Sequence, residues 1–165
     1  QKKFIIMKER RKDIKMKIII GADHRGANLA TKIYENLKEQ GYDIIKSNVP
    51  TSEEDDYPDF AFDVCKQVLE NKENLGIVIC GNGIGISIAA NKVQGIRCAR
   101  VTSKEDAHHA KKHNGANVIA FGGVTLEDAL EMIKTFIETP FPTEERHLRR
   151  IQKIIDYEQG VYNGL

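Results

Sequence analysis

The chain has 165 residues, of which 41% are hydrophobic, so it can bury one core and is short for two. Its 25 Lys and Arg against 24 Asp and Glu give a net charge of +1, which provides no general attraction to nucleic acid or to an anionic membrane. We therefore expect one domain with neither kind of partner.

The cysteines and the chain start indicate the compartment. Cys65, Cys80 and Cys98 are odd in number and irregular in spacing, which predicts no disulfide framework and favours a reducing environment. No apolar run approaches the roughly 18 residues of a membrane helix, and the basic residues 1–16 lack the apolar core of a signal sequence. We expect a soluble, cytoplasmic protein with residues 1–16 as an extension or tag and residues 17–165 as the domain.

From Lys17 onward, short β-branched or apolar runs alternate with helical periods, the pattern of repeated βαβ units. The sequence therefore predicts an α/β fold, a doubly wound (Rossmann-like) five-stranded parallel sheet with helices on both faces and a C-terminal helix. The predicted strands are Lys17–Ile20, Tyr42–Ile45, Gly76–Ile79, Gly95–Ala99 and Asn117–Phe121. The predicted helices are Arg25–Gln40, Tyr57–Asn71, Ile84–Lys92, Ser103–Lys112, Leu126–Glu138 and Thr143–Glu158, the last opened by Thr143 and two glutamates.

Residues that directly follow the strands are the first functional candidates, because open parallel sheets bind ligands outside the carboxyl ends of their strands. The first strand leads into GADHRG, the third into CGNGIGIS, the fourth into Arg100 and the fifth into Gly122 and Gly123. Glycines in CGNGIGIS leave the backbone bare, so its N–H groups can converge on a phosphate or an oxyanion. The spacing matches neither the dinucleotide fingerprint nor a P-loop, and tight packing alone also explains it.

Cys80 opens this glycine-rich turn. A thiol at a helix N-terminus ionises readily and can act as a base or nucleophile near neutral pH. The alternative is a small buried hydrophobe, the commonest fate of a free cysteine, and the residue alone leaves both interpretations open. For Cys65, in a predicted helix, and Cys98, in a predicted strand, we expect the structural role.

Several motifs in one order give the chain a family resemblance. They are GADHRG at 21–26, DYP at 56–58, CGNGIGISIAANK at 80–92, GIR at 95–97, HN at 113–114 and RHLRR at 146–150. From about Met16 to about Glu158 the chain resembles ribose-5-phosphate isomerase type B, in a family that also includes allose-6-phosphate and galactose-6-phosphate isomerases. The resemblance implies interconversion of ribose 5-phosphate and ribulose 5-phosphate through a cis-enediolate. It also implies no metal or cofactor, and a homodimer, or a tetramer built from it, whose active sites use both subunits.

The resemblance further implies residue roles. Cys80 matches the base that moves the proton between C2 and C1, and His113 matches the acid that assists ring opening. The remaining positions implied to contact the sugar phosphate are Asp23, His24, Tyr57, Gly81, Asn82, Gly83, Ile84, Gly85, Asn114, Arg146 and Arg150. Arg146 and Arg150, assigned to the phosphate, lie four apart and therefore share one helical face.

Two positions depart from the family's pattern. Many members carry Thr or Ser where this chain has Asn82, whose amide can donate a hydrogen bond but cannot relay a proton as a hydroxyl does. Members also often have Arg where Val124 follows the glycines of the fifth strand, so one phosphate contact is missing here. We expect His24, Arg146 and Arg150 to bind the phosphate without it.

The other histidines and two rival functions complete the set of hypotheses. His109 and His113 have an i, i+4 spacing that can bind a metal, but no carboxylate or cysteine completes the ligand set, so we expect none. We expect His108 and His109 to be solvated and His147 to flank the phosphate site. The rival functions are isomerisation of a six-carbon sugar phosphate such as allose 6-phosphate, and a non-catalytic sugar-phosphate binding module.

Overall fold

The computed structural model describes residues 16–164, so our prediction for residues 1–15 lies outside the described part of the chain. Within it, five strands alternate with helices. The strands are β1 (Ile18–Ala22), β2 (Ile44–Lys46), β3 (Leu75–Ile79), β4 (Cys98–Arg100) and β5 (Val118–Phe121). The helices are α1 (Ala27–Glu39), α2 (Tyr57–Val68), α3 (Ile84–Ala90), α4 (Lys104–Lys112), α5 (Leu126–Glu138) and α6 (Glu145–Glu158).

The five strands form one parallel sheet in the order β2-β1-β3-β5-β4. Ile20 of β1 pairs with Ile77 of β3, which in turn pairs with Ile119 of β5. The strand order reverses direction between β1 and β3, and a crevice opens at such a switch point beyond the strands' carboxyl ends. The predicted doubly wound architecture is confirmed.

Alternate strand residues face two separate apolar layers, as the two-residue repeat of a strand requires. Ile18 and Ile20 pack with helices α1, α4 and α5, whereas Ile19 packs with α2 and α3. Helix α6 fully buries only His147 and Ile151, and its Leu148, Ile154 and Tyr157 remain exposed. None of the helices in residues 16–164 has the length and apolar character needed to cross a bilayer.

Two glycines in the sheet set how closely α2 packs on it. A Cβ built on Gly21 of β1 would lie 2.5 Å from Cγ2 of Val64, and one built on Gly76 of β3 would lie 2.9 Å from Cγ2 of Val68. Any side chain at either position would collide with this helix. The bare strand backbone therefore allows α2 to lie against β1 and β3.

Most predicted boundaries differ from the structure by one to three residues, and some of these differences have a clear local cause. Strand β1 continues two residues further, to Ala22, because Gly21 remains extended beneath α2 and pairs with Val78. Strand β4 begins at Cys98 rather than Gly95, since Gly95 has a φ of +90° in the preceding turn. Arg100 therefore ends the strand instead of following it.

The start of the last helix also differs from the prediction. Thr143 lies outside α6, and Glu144 is the residue that precedes its first turn. The carbonyl of Glu144 accepts hydrogen bonds from the N–H groups of His147 and Leu148, which begins the helix there. The hydroxyl of Thr143 makes no capping hydrogen bond within the described residues, so the predicted N-cap is one residue too early.

Candidate active site

An open cavity of about 450 Å³ lies at the switch point, beyond the ends of β1 and β3. The turn after β1, the loop before α2 and the loop after β3 form its walls. The predicted residues that line it are Asp23, His24, Tyr57, Cys80, Gly81, Asn82 and Gly85. Arg25, Glu53, Asp55 and Asp56 also line it; Arg25 and Asp56 lie in the GADHRG and DYP motifs, but none of the four was predicted to contact a ligand.

The position of Cys80 has features of both interpretations that the sequence left open. Its side chain is 6% exposed and packs with the apolar layer under α2 and α3, yet it also lines the cavity. The N–H of Gly83 donates a hydrogen bond to its Sγ at 3.2 Å. Such a donor interacts more strongly with a thiolate than with a neutral thiol. The sulfur is thus held at the cavity wall by a backbone donor.

Close packing between two strand ends explains part of the glycine pattern. Gly83 has a φ of +79°, and a Cβ built on it would lie 2.6 Å from Cα of Phe121. A Cβ on Gly122, after β5, would lie 2.0 Å from the carbonyl oxygen of Cys80. The loops after β3 and β5 therefore touch backbone to backbone, which only glycine permits.

Fewer amides of the glycine loop are free for a ligand than the sequence suggested. The N–H of Gly83 is used by the thiol, and the N–H of Ile84 donates to Oδ1 of Asn82 at 3.0 Å. The N–H groups of Gly81 and Asn82 make no hydrogen bond within residues 16–164 and can donate to a bound oxyanion. Ile84 is exposed and does not line the cavity, and its contact with substrate stays a prediction.

Two hydrogen bonds fix Asn82 in the loop after β3. Its side-chain oxygen binds the N–H of Ile84 at the start of α3, and its carbonyl oxygen accepts a hydrogen bond from Nε of Arg100 at 2.9 Å. The side-chain Nδ2 makes no hydrogen bond within the described residues. The side-chain oxygen of Asn82 therefore shapes the loop, and its Nδ2 remains a donor on a residue that lines the cavity.

Asp23 uses its two carboxylate oxygens differently. Oδ1 accepts hydrogen bonds from the N–H groups of Arg25 and Gly26, both at 3.0 Å, and so fixes the turn into α1. Oδ2 makes no hydrogen bond within the described residues, although Asp23 is 6% exposed and lines the cavity. This oxygen is available to accept a hydrogen bond from a sugar hydroxyl.

The opposite wall is acidic and aromatic. A Cβ on Gly85 would lie 2.7 Å from Cζ of Tyr57, so the ring of Tyr57 rests on bare backbone at the start of α3. Hydrogen bonds from the N–H groups of Ser52 and Thr51 lower the pKa of Asp55, which therefore stays charged near neutral pH. Carboxylates thus dominate this wall of the cavity.

The other predicted site residues form a second group, away from the cavity, at the end of α4 and on α6. His113, Asn114, Arg146 and Arg150 do not line the cavity. The ring of His113 stacks between the rings of His109 and His147, with centroid distances of 4.9 Å and 4.6 Å. Burial, followed by the charges of His147 and His109, lowers the pKa of His113.

His147 is buried, and its Nε2 has no hydrogen-bond partner among the described residues. The nearest carboxylate oxygen, Oε2 of Glu144, lies 3.9 Å away and accepts a hydrogen bond from Nε of Arg146 instead. No three His, Cys, Asp or Glu side chains in residues 16–164 form a metal-binding set, and the stacked histidines are no exception.

The two other cysteines take no part in either group. Burial raises the pKa of Cys65 to about 12 and also raises the pKa of Cys98. Neither side chain lines the cavity. Cys80 is therefore the one cysteine of residues 16–164 that lines this cavity.

The fold and the cavity together define a class: an α/β enzyme for a small polar substrate, with a thiol at the switch point of a doubly wound sheet. Comparison with known proteins makes the class specific. A family model described as Ribose/Galactose Isomerase matches residues 18–154. The chain belongs to this family, and the expected enzyme class, a sugar isomerase of the ribose-5-phosphate isomerase B type, is confirmed.

Three relatives illustrate the similarity. The chain is 39% identical over 147 residues to ribose-5-phosphate isomerase B of Mycobacterium tuberculosis. These residues cover 87% of this chain and 91% of that protein. The structure of ribose-5-phosphate isomerase B from Clostridium thermocellum has a TM-score of 0.82 and 43% identity, covering 88% of this chain and 99% of that one. The Mycoplasma genitalium enzyme with bound ribulose-5-phosphate has a TM-score of 0.82 and 39% identity, covering 88% and 98%.

Proposed function

We propose that this chain interconverts ribose 5-phosphate and ribulose 5-phosphate through a cis-enediolate, with Cys80 as the base. The observation that carries the proposal is the position of the Cys80 sulfur, at the cavity wall and hydrogen-bonded to the N–H of Gly83. The Mycoplasma genitalium relative, which is 39% identical, was crystallised with bound ribulose-5-phosphate, and this supports a pentose phosphate as the ligand.

The proposed chemistry moves one proton between adjacent carbons. The Cys80 thiolate takes the proton from C2 of the open-chain aldose, and the electron pair shifts to make the C1 oxygen an oxyanion. The free N–H groups of Gly81 and Asn82 stabilise that charge, as an oxyanion hole does. The thiol then returns the proton to C1 while the proton of the C2 hydroxyl passes to the C1 oxyanion, which gives the C2 ketone and a neutral C1 hydroxyl.

We also propose a homodimer in which His113, Asn114, Arg146 and Arg150 complete the cavity of the partner subunit. Two observations support it. The cavity's own lining carries four acidic side chains beside His24 and Arg25, a poor balance for a phosphate dianion. Helix α6, which carries the two arginines, exposes Leu148, Ile154 and Tyr157. A cytoplasmic location belongs to the same proposal, supported by the three free cysteines.

Replacing Cys80 with Ser tests the base, with Cys98→Ser as a control that changes a thiol outside the cavity. We expect Cys80→Ser to lower kcat by at least about 100-fold, the usual size of a general-base contribution, and to slow exchange of the C2 hydrogen of ribose 5-phosphate with deuterium oxide equally. Cys98→Ser should retain the native rate. Native kcat and exchange in Cys80→Ser would show that another group is the base.

The same isomerase assay tests which sugar phosphate is the substrate. The matched family spans ribose and galactose isomerases, so kcat/KM is measured for ribose 5-phosphate, allose 6-phosphate and galactose 6-phosphate. We expect the pentose phosphate to have the highest value. A higher value for either hexose phosphate would assign the chain to the six-carbon branch, and binding without turnover of all three would favour the binding-module alternative.

A further inference from the structure

Arg25 lies in the cavity but has no role in the chemistry described so far. It follows Asp23 and His24 in the turn after β1, and its backbone N–H is held by Oδ1 of Asp23 at 3.0 Å. This hydrogen bond fixes where the side chain begins. Because the side chain is exposed and lines the cavity, it extends from a rigid turn into the space that a ligand would occupy.

The side chain of Arg25 lies on the backbone of Gly81. A Cβ built on Gly81 would lie 3.2 Å from Cδ of Arg25 and 3.4 Å from its Nη1. The aliphatic stem and the guanidinium therefore run across the residue that follows Cys80. The absence of a side chain at Gly81 leaves room for the arginine at this place.

The guanidinium has no partner of its own. No carboxylate in residues 16–164 forms an ion pair with Arg25, and its side-chain nitrogens make no hydrogen bond to another described group. This is notable in a cavity whose lining includes Glu53, Asp55 and Asp56. The planar donors of an unpaired guanidinium match the oxygens of a phosphate in pairs.

Arg25 is also the one Lys or Arg among the described residues that line the cavity. A sugar phosphate brings up to two negative charges into a wall that already carries carboxylates. We propose that Arg25 binds the phosphate group of the substrate from within the subunit that supplies Cys80. This proposal rests on the proposed function, and it adds a cation to the site that is independent of the partner subunit's Arg146 and Arg150.

Binding measurements test the proposal without relying on turnover. Calorimetry is carried out with ribose 5-phosphate and with inorganic phosphate on the Cys80→Ala protein, which keeps substrate intact, with and without Arg25→Met. We expect Arg25→Met to raise Kd for both ligands by about 10- to 100-fold, the effect typical of losing a hydrogen bond to a charged group. Arg25→Lys should give an intermediate Kd, because it keeps the charge and loses the planar fork.

Lys66→Met is the charge-matched control, since Lys66 is exposed on α2 and does not line the cavity. It should leave both Kd values unchanged, and circular dichroism should show that all variants fold. Steady-state kinetics on the Arg25→Met protein with native Cys80 should show the loss mainly in KM.

Each other outcome overturns the proposal in a recognisable way. If Arg25→Met binds both ligands as tightly as its parent, Arg25 is not a phosphate ligand, while the isomerase assignment is unaffected. If kcat falls but Kd for inorganic phosphate does not change, Arg25 acts at the reacting carbons instead. If native protein binds neither ligand, the proposed function fails and this proposal fails with it.

Discussion

Three imidazole rings stack at the junction of α4 and α6, with His113 between His109 and His147. Protonation of one ring disfavours protonation of the next, because like charges would face each other across less than 5 Å. Together with burial, this lowers the pKa of His113 below its ordinary value of 6.5. Near neutral pH the ring of His113 is therefore uncharged, with one donor and one acceptor nitrogen.

Replacing His147 with Gln should raise the pKa of His113, because His147 is the largest electrostatic contributor to its depression. An NMR titration of the His113 ring protons measures the change. His24→Gln, which changes a histidine of the cavity, is the control and should leave that titration where it is. A pKa of His113 that stays the same or falls in His147→Gln would refute the electrostatic explanation.

The lowered pKa of His113 also predicts how acid affects the stability of the fold. The folded-state pKa of His113 lies below 6.5, so the unfolded chain takes up the proton first as the pH falls. The contribution of His113 to the free energy of unfolding is therefore present above about pH 6.5. It is lost as the pH falls towards the pKa of His113 in the folded state. His113→Asn should reduce the acid dependence of the free energy of unfolding in that window, as measured by urea denaturation.

Among the elements, the loop between β3 and α3 depends on its contact with β5. Gly83→Ala should lower the free energy of unfolding by more than the roughly 1–2 kcal/mol of a left-handed residue, because its Cβ would also press on the Phe121 backbone. Gly41→Ala is the matched control, since Gly41 has a φ of +90° and nothing lies within 4 Å of its Cβ position. If Gly83→Ala and Gly41→Ala lower the free energy of unfolding equally in urea denaturation, the contact with β5 adds no destabilisation.

Element bounds were predictable where local signals fix them. Helix α5 has the predicted ends, Leu126–Glu138, because the hydroxyl of Thr125 caps its first turn and Pro140 follows its last. Strand β4 was misplaced because distant side chains set its start. The side chain of Asn91 binds both the N–H and the carbonyl of Cys98, and Oδ1 of Asn117 binds the N–H of Arg97. No local pattern in the sequence encodes such contacts.

At the scale of the molecule, the predicted site residues fall into two groups that belong to different parts of one chain. The strand-end group, which includes Asp23 and Cys80, was predictable because its members directly follow β1 and β3. Arg25 and the acidic loop residues Glu53, Asp55 and Asp56 were missed. The path of that loop over the cavity has no periodic or motif signal, and only the folded chain places it there.

Mixing two inactive variants tests whether the two groups meet across a dimer. Cys80→Ala and Arg146→Met are unfolded together and refolded, so that about half of the dimers carry one chain of each kind. Each mixed dimer has one complete site of two, and we expect about a quarter of native isomerase activity to return. Activity that does not return would place both groups in one subunit's site.

The matched control mixes Arg146→Met with His113→Asn. Both changes lie in the second group, so every site of the mixed dimer lacks one of its members. No activity above that of the separate variants should appear. Recovery in this pair as well would mean that refolding itself, rather than complementation, restores the activity.

The packing of α2 on the sheet has a consequence for how the cavity can be reshaped. Tyr57, the first residue of that helix, stands in the cavity wall, while Val64 and Val68 further along it rest on Gly21 and Gly76 of the sheet. A methyl group added at either glycine would collide with these valines, so we expect α2, and with it the wall that Tyr57 forms, to shift away from the sheet. The width of the cavity would then depend on two positions beneath the helix that do not line the cavity themselves.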